Sequence, residues 1–137
     1  MKLQQYKKQR AFTLIEIMTV IFIIAAIAVL TIPHFRRSIE KAQLAGCQSN
    51  LRNIASVVEQ YRNEHEYYPE NLKIMTPHYL TTVPTCPAAH IDTYSSGYVT
   101  TDDKTAYTAS CKGNNHSSLG LSEDQPYFNP ETGGLKP

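Results

Sequence analysis

The sequence predicts an α+β fold: one long N-terminal α-helix, half transmembrane and half amphipathic, packed against a small antiparallel β-sheet head. Three observations predict it. An apolar run from Phe12 to Pro33 holds a single charge, Glu16. Beyond it Leu44, Cys47, Leu51, Ile54, Val58 and Tyr61 recur at alternating spacings of three and four. From Tyr94 onward the composition turns to Tyr, Thr, Ser and Val, broken by turn residues.

Residues 1–11 form a basic leader carrying Lys2, Lys7, Lys8 and Arg10. The apolar segment 12–33 is 22 residues long. As a helix it reaches about 33 Å, enough for a bilayer core of about 30 Å. It is apolar on every face, which suits lipid better than a soluble surface helix. Positive charge precedes it, so Met1 is expected in the cytoplasm and the larger C-terminal part outside.

Pro33 removes a backbone donor and clashes with the preceding turn, so a kink is expected there. Residues 34–65 then form the amphipathic half of the helix. Their apolar stripe faces a partner, while Arg36, Arg37, Glu40, Lys41, Arg52, Glu59 and Arg62 occupy the other faces. That stripe is either a coiled-coil seam or the floor of a small sheet. A single sheet needs cover, which favours the second reading. Gly46 weakens the helix slightly.

The head is expected over 66–137. Pro69 to Met75 reads as a short helix with Leu72 and Met75 inward, stopped by Thr76-Pro77. Tyr98 to Thr101 and Thr105 to Ala109 read as two strands around an Asp102-Asp103 turn. Pro126 to Phe128 reads as a last short strand, and the Gly- and Pro-rich tail from Asn129 to Pro137 as loosely held. No internal repeat is visible.

The net charge of +1 conceals an asymmetry: from Phe12 onward nine basic side chains face twelve acidic ones. No basic patch with interleaved aromatics stands out, so no nucleic-acid partner is expected.

The apolar segment admits three readings: a signal anchor, a secretory signal cut near Ala26-Ile27-Ala28, or a helix retained after removal of the leader between Ala11 and Phe12. Glu16 discriminates among them. An acidic residue at the centre of a membrane span costs about 2.5 to 3.5 kcal/mol on insertion scales, and less near an end. An anchor or signal gains nothing from it. Cleavage after Ala11 gives Phe12 a free α-amine, and Glu16 of one copy can then pair with that amine on its neighbour. Removing either charge strands the other, which is costly where water is scarce.

The stretch Arg10-Ala11-Phe12-Thr13-Leu14-Ile15-Glu16-Ile17-Met18 resembles the class III signal of type IV pilins and type II secretion pseudopilins. That motif ends its leader in Gly; here Ala11 stands in its place. The resemblance implies that Ala11 is the last leader residue and that Phe12 is the new, N-methylated terminus. It likewise makes Glu16 the assembly glutamate and Pro33 the helix-kinking proline. A long helix followed by a small antiparallel sheet is also similar to the pilin architecture.

Cys47, Cys86 and Cys111 lie on the side expected to be exported, where disulfides persist. Cys86 with Cys111 is the leading pair, closing a loop worth roughly 3 kcal/mol by chain entropy. Cys47 with Cys86 is the alternative. Cys86, His90, Cys111 and His116 offer the donors of a zinc site, but their spacings depart from the tight finger pattern. The expectation is a disulfide, no metal and no cofactor. Asp102-Asp103 and Glu123-Asp124 read as solvated turns, since neither reproduces a calcium loop. The one nucleophile–base pair, Cys111 with His116, would lose its thiol to the disulfide. No enzyme is expected.

The resemblance therefore implies a prepilin-like structural subunit of a helical filament assembled at the bacterial inner membrane, above all a type II secretion pseudopilin. Alternatives are a type IV pilus subunit for adhesion, motility or DNA uptake, and a membrane-anchored metal- or ligand-binding envelope protein. The expected partners are other pilin-like subunits in a homo- or hetero-filament, a prepilin peptidase and methyltransferase, and an assembly platform with its ATPase. The expected location is a single pass through the inner membrane with the head outside the cytoplasm, then a periplasmic or surface filament.

Overall fold

The computed structural model describes residues 12–136; the leader 1–11, with Ala11, lies outside the described residues. The chain divides into two compact units, with the boundary between Arg36 and Arg37. One α-helix, α1, runs Leu14–His65. Its start follows from Thr13-Leu14-Ile15-Glu16, the pattern of a capping box. The Thr13 hydroxyl accepts the Glu16 amide at 3.3 Å, satisfying one of the helix's orphan donors.

In the first unit the large apolar side chains from Phe12 to Ile32 stand exposed. By length and composition this helix can cross a membrane. Its hydroxyls are satisfied internally, as lipid requires. Thr19 donates to the Glu16 carbonyl at 2.8 Å, and Thr31 to the carbonyls of Ile27 and Ala28 at 3.2 Å. Pro33 lies inside α1, where it has no N–H to offer the carbonyl of Val29.

In the second unit the stripe read from the sequence is the buried face of α1. Cys47, Leu51, Ile54, Val58 and Tyr61 are buried, joined by Ala55, while Leu44 is half-buried. The helix ends where Glu66 turns left-handed (φ 70°) and its amide reaches the Arg62 carbonyl at 2.7 Å. A single 3-10 turn, Leu72–Met75, follows, with Asn71 accepting the amides of Lys73 and Ile74. Leu72 and Met75 both point inward, as expected.

Four strands form an antiparallel meander in the order β1-β2-β3-β4: β1 Tyr98–Thr100, β2 Tyr107–Ser110, β3 Tyr127–Asn129 and β4 Gly134–Lys136. Together the helix and sheet make the α+β, pilin-like arrangement expected from the sequence. The core is built where the stripe of α1 meets aromatic residues of the head. Tyr107 is the centre of an aromatic cluster, with the rings of Tyr68, Tyr98 and Phe128 at centroid distances of 4.7, 5.7 and 6.2 Å. Tyr98 donates its hydroxyl to the Pro69 carbonyl, and Tyr68 donates to Glu59, each at 3.0 Å. These pairings satisfy two of the core phenols, whereas the Tyr107 hydroxyl is buried with no hydrogen-bond partner among the described residues.

Two expectations need correction. The tail is not loosely held, because Gly134–Lys136 pairs with β3 and places Leu135 opposite Phe128. Gly133 and Gly134 take φ of 99° and 90°, which only glycine adopts cheaply. The glycines that suggested looseness are the turn of a hairpin. A one-turn helix, α2 at Tyr94–Gly97, also precedes β1. Asp92 starts it by accepting the amides of Tyr94 and Ser95 at 3.0 and 2.9 Å.

Candidate functional site

The residues singled out in the sequence fall in two places. In the first unit, Phe12 lies just before α1 and is largely exposed, Glu16 sits in the first helical turn, and Pro33 is within the helix. Ala11 lies outside the described residues. The position of Glu16, three residues after the capping Thr13, gives its carboxylate a second use: it stands where a capping-box acid supports its own helix start. Charge and cap are therefore separable functions of one side chain.

The second place is buried in the second unit. Cys47, Cys86, Cys111 and His116 converge so that their ligand atoms lie within 4.8 Å of one another. Each arrives by a different route. Cys47 is on the inward face of α1, next to Gly46. A Cβ at Gly46 would stand 3.1 Å from Pro87 Cγ, so the missing side chain admits the Cys86-Pro87 loop against the helix. That loop closes on itself through amide–carbonyl bonds from Cys86 to Ile91 and from His90 to Cys86, at 2.9 and 2.8 Å.

Cys111 follows directly on β2, and its amide bonds the Pro126 carbonyl at 3.0 Å. His116 enters from the following loop, which Asp124 fastens. One Asp124 oxygen accepts the Gly113 amide at 2.8 Å, and the other pairs with Lys112 at 2.6 Å.

The cluster is rich in hydrogen bonds to sulfur. Tyr94 donates its hydroxyl to the Cys47 sulfur at 3.2 Å. The Thr93 hydroxyl and the Asn115 amide meet the Cys111 sulfur at 3.3 and 3.5 Å. Hydrogen bonds to its sulfur, that with Cys47 foremost, hold the Cys111 thiol below its ordinary value. The same bond, reinforced by burial, raises Cys47.

The Cys86–Cys111 pair read from the sequence is thus in contact, at 3.5 Å between sulfurs. All three cysteines are free thiols in this structure. His90, considered beside them as a metal donor, is exposed and outside the cluster, whose fourth member is Cys47. The cue lay in Gly46-Cys47, a small residue on a helix beside a thiol on its buried stripe. The Glu123-Asp124 turn is a fastening of the His116 loop, since both Asp124 oxygens already have donors.

The tyrosines of the head around β1, β2 and β3 are mostly interior. Tyr94, Tyr98 and Tyr107 are buried, and Tyr127 is half-buried.

Comparison with known proteins draws attention to the first site. Residues 6–32 match the family described as prokaryotic N-terminal methylation motif. The type II secretion system core protein G of Escherichia coli K12 is 32% identical over 92 residues, covering 67% of this chain and 62% of that protein. The core protein G of Pseudomonas aeruginosa is 31% identical over 65 residues, covering 47% of this chain and 46% of that protein. The competence protein ComGC of Halalkalibacterium halodurans is 30% identical over 67 residues, covering 49% of this chain and 66% of that protein. The chain thus spans less than two thirds of the length of these relatives. No solved structure matches it significantly.

Proposed function

We propose that this chain, which carries the prokaryotic N-terminal methylation motif and has pseudopilins among its relatives, is a structural subunit of a filament assembled from the inner membrane. The filament is most consistent with a type II secretion machine. The observation that carries the reading is the coincidence of the motif over residues 6–32 with a helix whose large apolar side chains stand exposed among the described residues. Exposed side chains such as Phe22, Val29 and Leu30 need either lipid or like helices around them.

The mechanism follows from that need. The precursor sits in the membrane through 12–33 with its head outside the cytoplasm. A prepilin peptidase removes residues 1–11 after Ala11, and a methyltransferase modifies Phe12. On extraction, apolar helices exchange lipid contacts for one another at little net cost, because both surroundings are hydrocarbon-like. Apolar packing alone does not fix axial register. A charge pair does: Glu16 of each copy meets the Phe12 amine of its neighbour, and a misplaced subunit leaves both charges unpaired in a dry core. The energy for extraction comes from a platform and ATPase outside this chain, whose sequence has no phosphate-binding loop.

The similarity to a competence protein supports a second reading, in which the same subunit builds a type IV pilus-like filament. The assembly chemistry is common to both.

The test is incorporation. Glu16→Gln, co-expressed with tagged wild-type protein, should insert in the membrane normally yet be excluded from sheared filaments. Equal incorporation of both forms would remove the role assigned to the carboxylate.

A further inference from the structure

We propose that Cys47, Cys86, Cys111 and His116 form a structural zinc site of the Cys3His type that fastens the head to the second half of α1. This inference concerns only the second unit and stands independently of the filament reading. With Zn–S near 2.3 Å and Zn–N near 2.0–2.1 Å, the edges of a tetrahedron of such ligands are about 3.5 to 3.8 Å. Among Cys86, Cys111 and His116 the separations are 3.5 Å between the sulfurs, 3.8 Å from Cys86 to His116 Nε2 and 3.9 Å from Cys111 to the same nitrogen, and with Cys47 all four ligand atoms lie within 4.8 Å of one another. Those last two are long for hydrogen bonds but suit neighbours on one ion.

The donor set selects the ion. Three sulfurs and an imidazole favour a soft or borderline cation over calcium or magnesium, which take oxygen. Four protein ligands, all buried, leave no open position, which marks a structural site rather than a catalytic one. On binding, three S–H bonds are replaced by three Zn–S bonds and the three protons pass to solvent. His116 contributes the lone pair of neutral Nε2. The result is a site of net charge −1, which requires hydrogen-bond donors around its sulfurs.

Those donors are present at every sulfur: Tyr94 at Cys47, Thr93 and Asn115 at Cys111, and the amides of Ala88 and Ala89 at Cys86. A neutral disulfide between Cys86 and Cys111 has less need of such donors and would leave Cys47 and His116 buried beside it without function. The metal accounts for all four buried side chains at once. It also supplies a cross-link to a head whose sheet has strands of three or four residues, where a core alone stabilises little.

The experiment uses the full chain, purified in detergent without chelators and loaded with Zn2+. Elemental analysis should give about one zinc per chain, and X-ray absorption at the zinc edge three sulfur neighbours and one nitrogen. His116→Ala and Cys47→Ser should each lower zinc retention against a competing chelator by roughly tenfold or more. His90→Ala should retain it fully. The absorption spectrum of the wild-type protein decides the matter even if the ligand variants fail to fold. A protein that takes up no zinc, whether its thiols are free or Cys86 and Cys111 are bridged, overturns the proposal. So does zinc bound through oxygen or nitrogen alone, or another metal in its place.

Discussion

Gly46 lets the Cys86-Pro87 loop lie close against α1: a Cβ on the glycine would stand 3.1 Å from the Pro87 Cγ. That contact is closer than side chains normally tolerate, so the neighbouring loop must give when anything is added. Gly46→Leu should therefore push Pro87 outward and separate Cys86 from Cys47. Overpacking of this kind costs about 1 to 3 kcal/mol, well above what leucine returns in helix propensity. Thermal unfolding of the detergent-solubilised chain, with protease sensitivity near Cys86, checks it. An unchanged melting temperature would mean that the loop does not rest on Gly46.

Tyr94 is fully buried, donating its hydroxyl to Cys47 and accepting from the Asn50 amide at 3.3 Å. Tyr94→Phe keeps the ring and deletes both bonds. The expected loss is about 1 to 3 kcal/mol, because the buried Cys47 sulfur loses its donor and the half-buried Asn50 amide keeps only the Thr85 carbonyl. Chemical denaturation of the two proteins side by side gives the comparison. Equal midpoints would show that packing of the ring carries the whole contribution.

Glu16 has two uses that substitution can separate. Gln at this position still satisfies a capping box, whereas Ala does not. Both Glu16→Gln and Glu16→Ala should enter the membrane, since removing a charge eases insertion, and both should fail to join wild-type filaments. If Gln assembles and Ala does not, the helix cap rather than the charge is what assembly needs.

Acid should loosen the loop bearing His116 through Asp124. The Gly113 amide, then Lys112, hold the Asp124 carboxyl below its ordinary value. A depressed native value means that the stabilisation is complete above the unfolded value of about 3.9 and is lost as pH falls through the lower native one. Hydrogen exchange at Gly113 should therefore stay slow, relative to its intrinsic rate, down to pH about 4 and lose protection below it. Asp124→Asn should remove that acid step. A protection profile identical in the two proteins would dismiss the Asp124 fastening.

Much of this molecule was legible in its sequence because the relevant signals are local. The stripe from Cys47 to Tyr61 carries a helical period, and Tyr98 to Ala109 alternates around a turn, so both elements appeared near their observed bounds. The tail was misread because Gly133-Gly134 has the same composition whether it terminates order or turns a hairpin. Only the pairing of Leu135 opposite Phe128 distinguishes the two. The Cys47 component of the cluster was hidden for a different reason. Its neighbours Cys86 and His116 are far along the chain, and their meeting depends on a contact at Gly46 that no spacing rule encodes. The N-terminal site, by contrast, is a contiguous run of residues, Arg10 to Met18, and needed no fold to be recognised.

The central claim is that a neighbour's terminal amine compensates Glu16, and that amine exists only if the chain is cut before Phe12. Intact and top-down mass spectrometry of the protein taken from filaments reads this directly. The account predicts a mature chain beginning at N-methylated Phe12, with residues 1–11 gone. Assembled, working protein that still carries Met1 to Ala11, or that begins beyond Ala28, would contradict it.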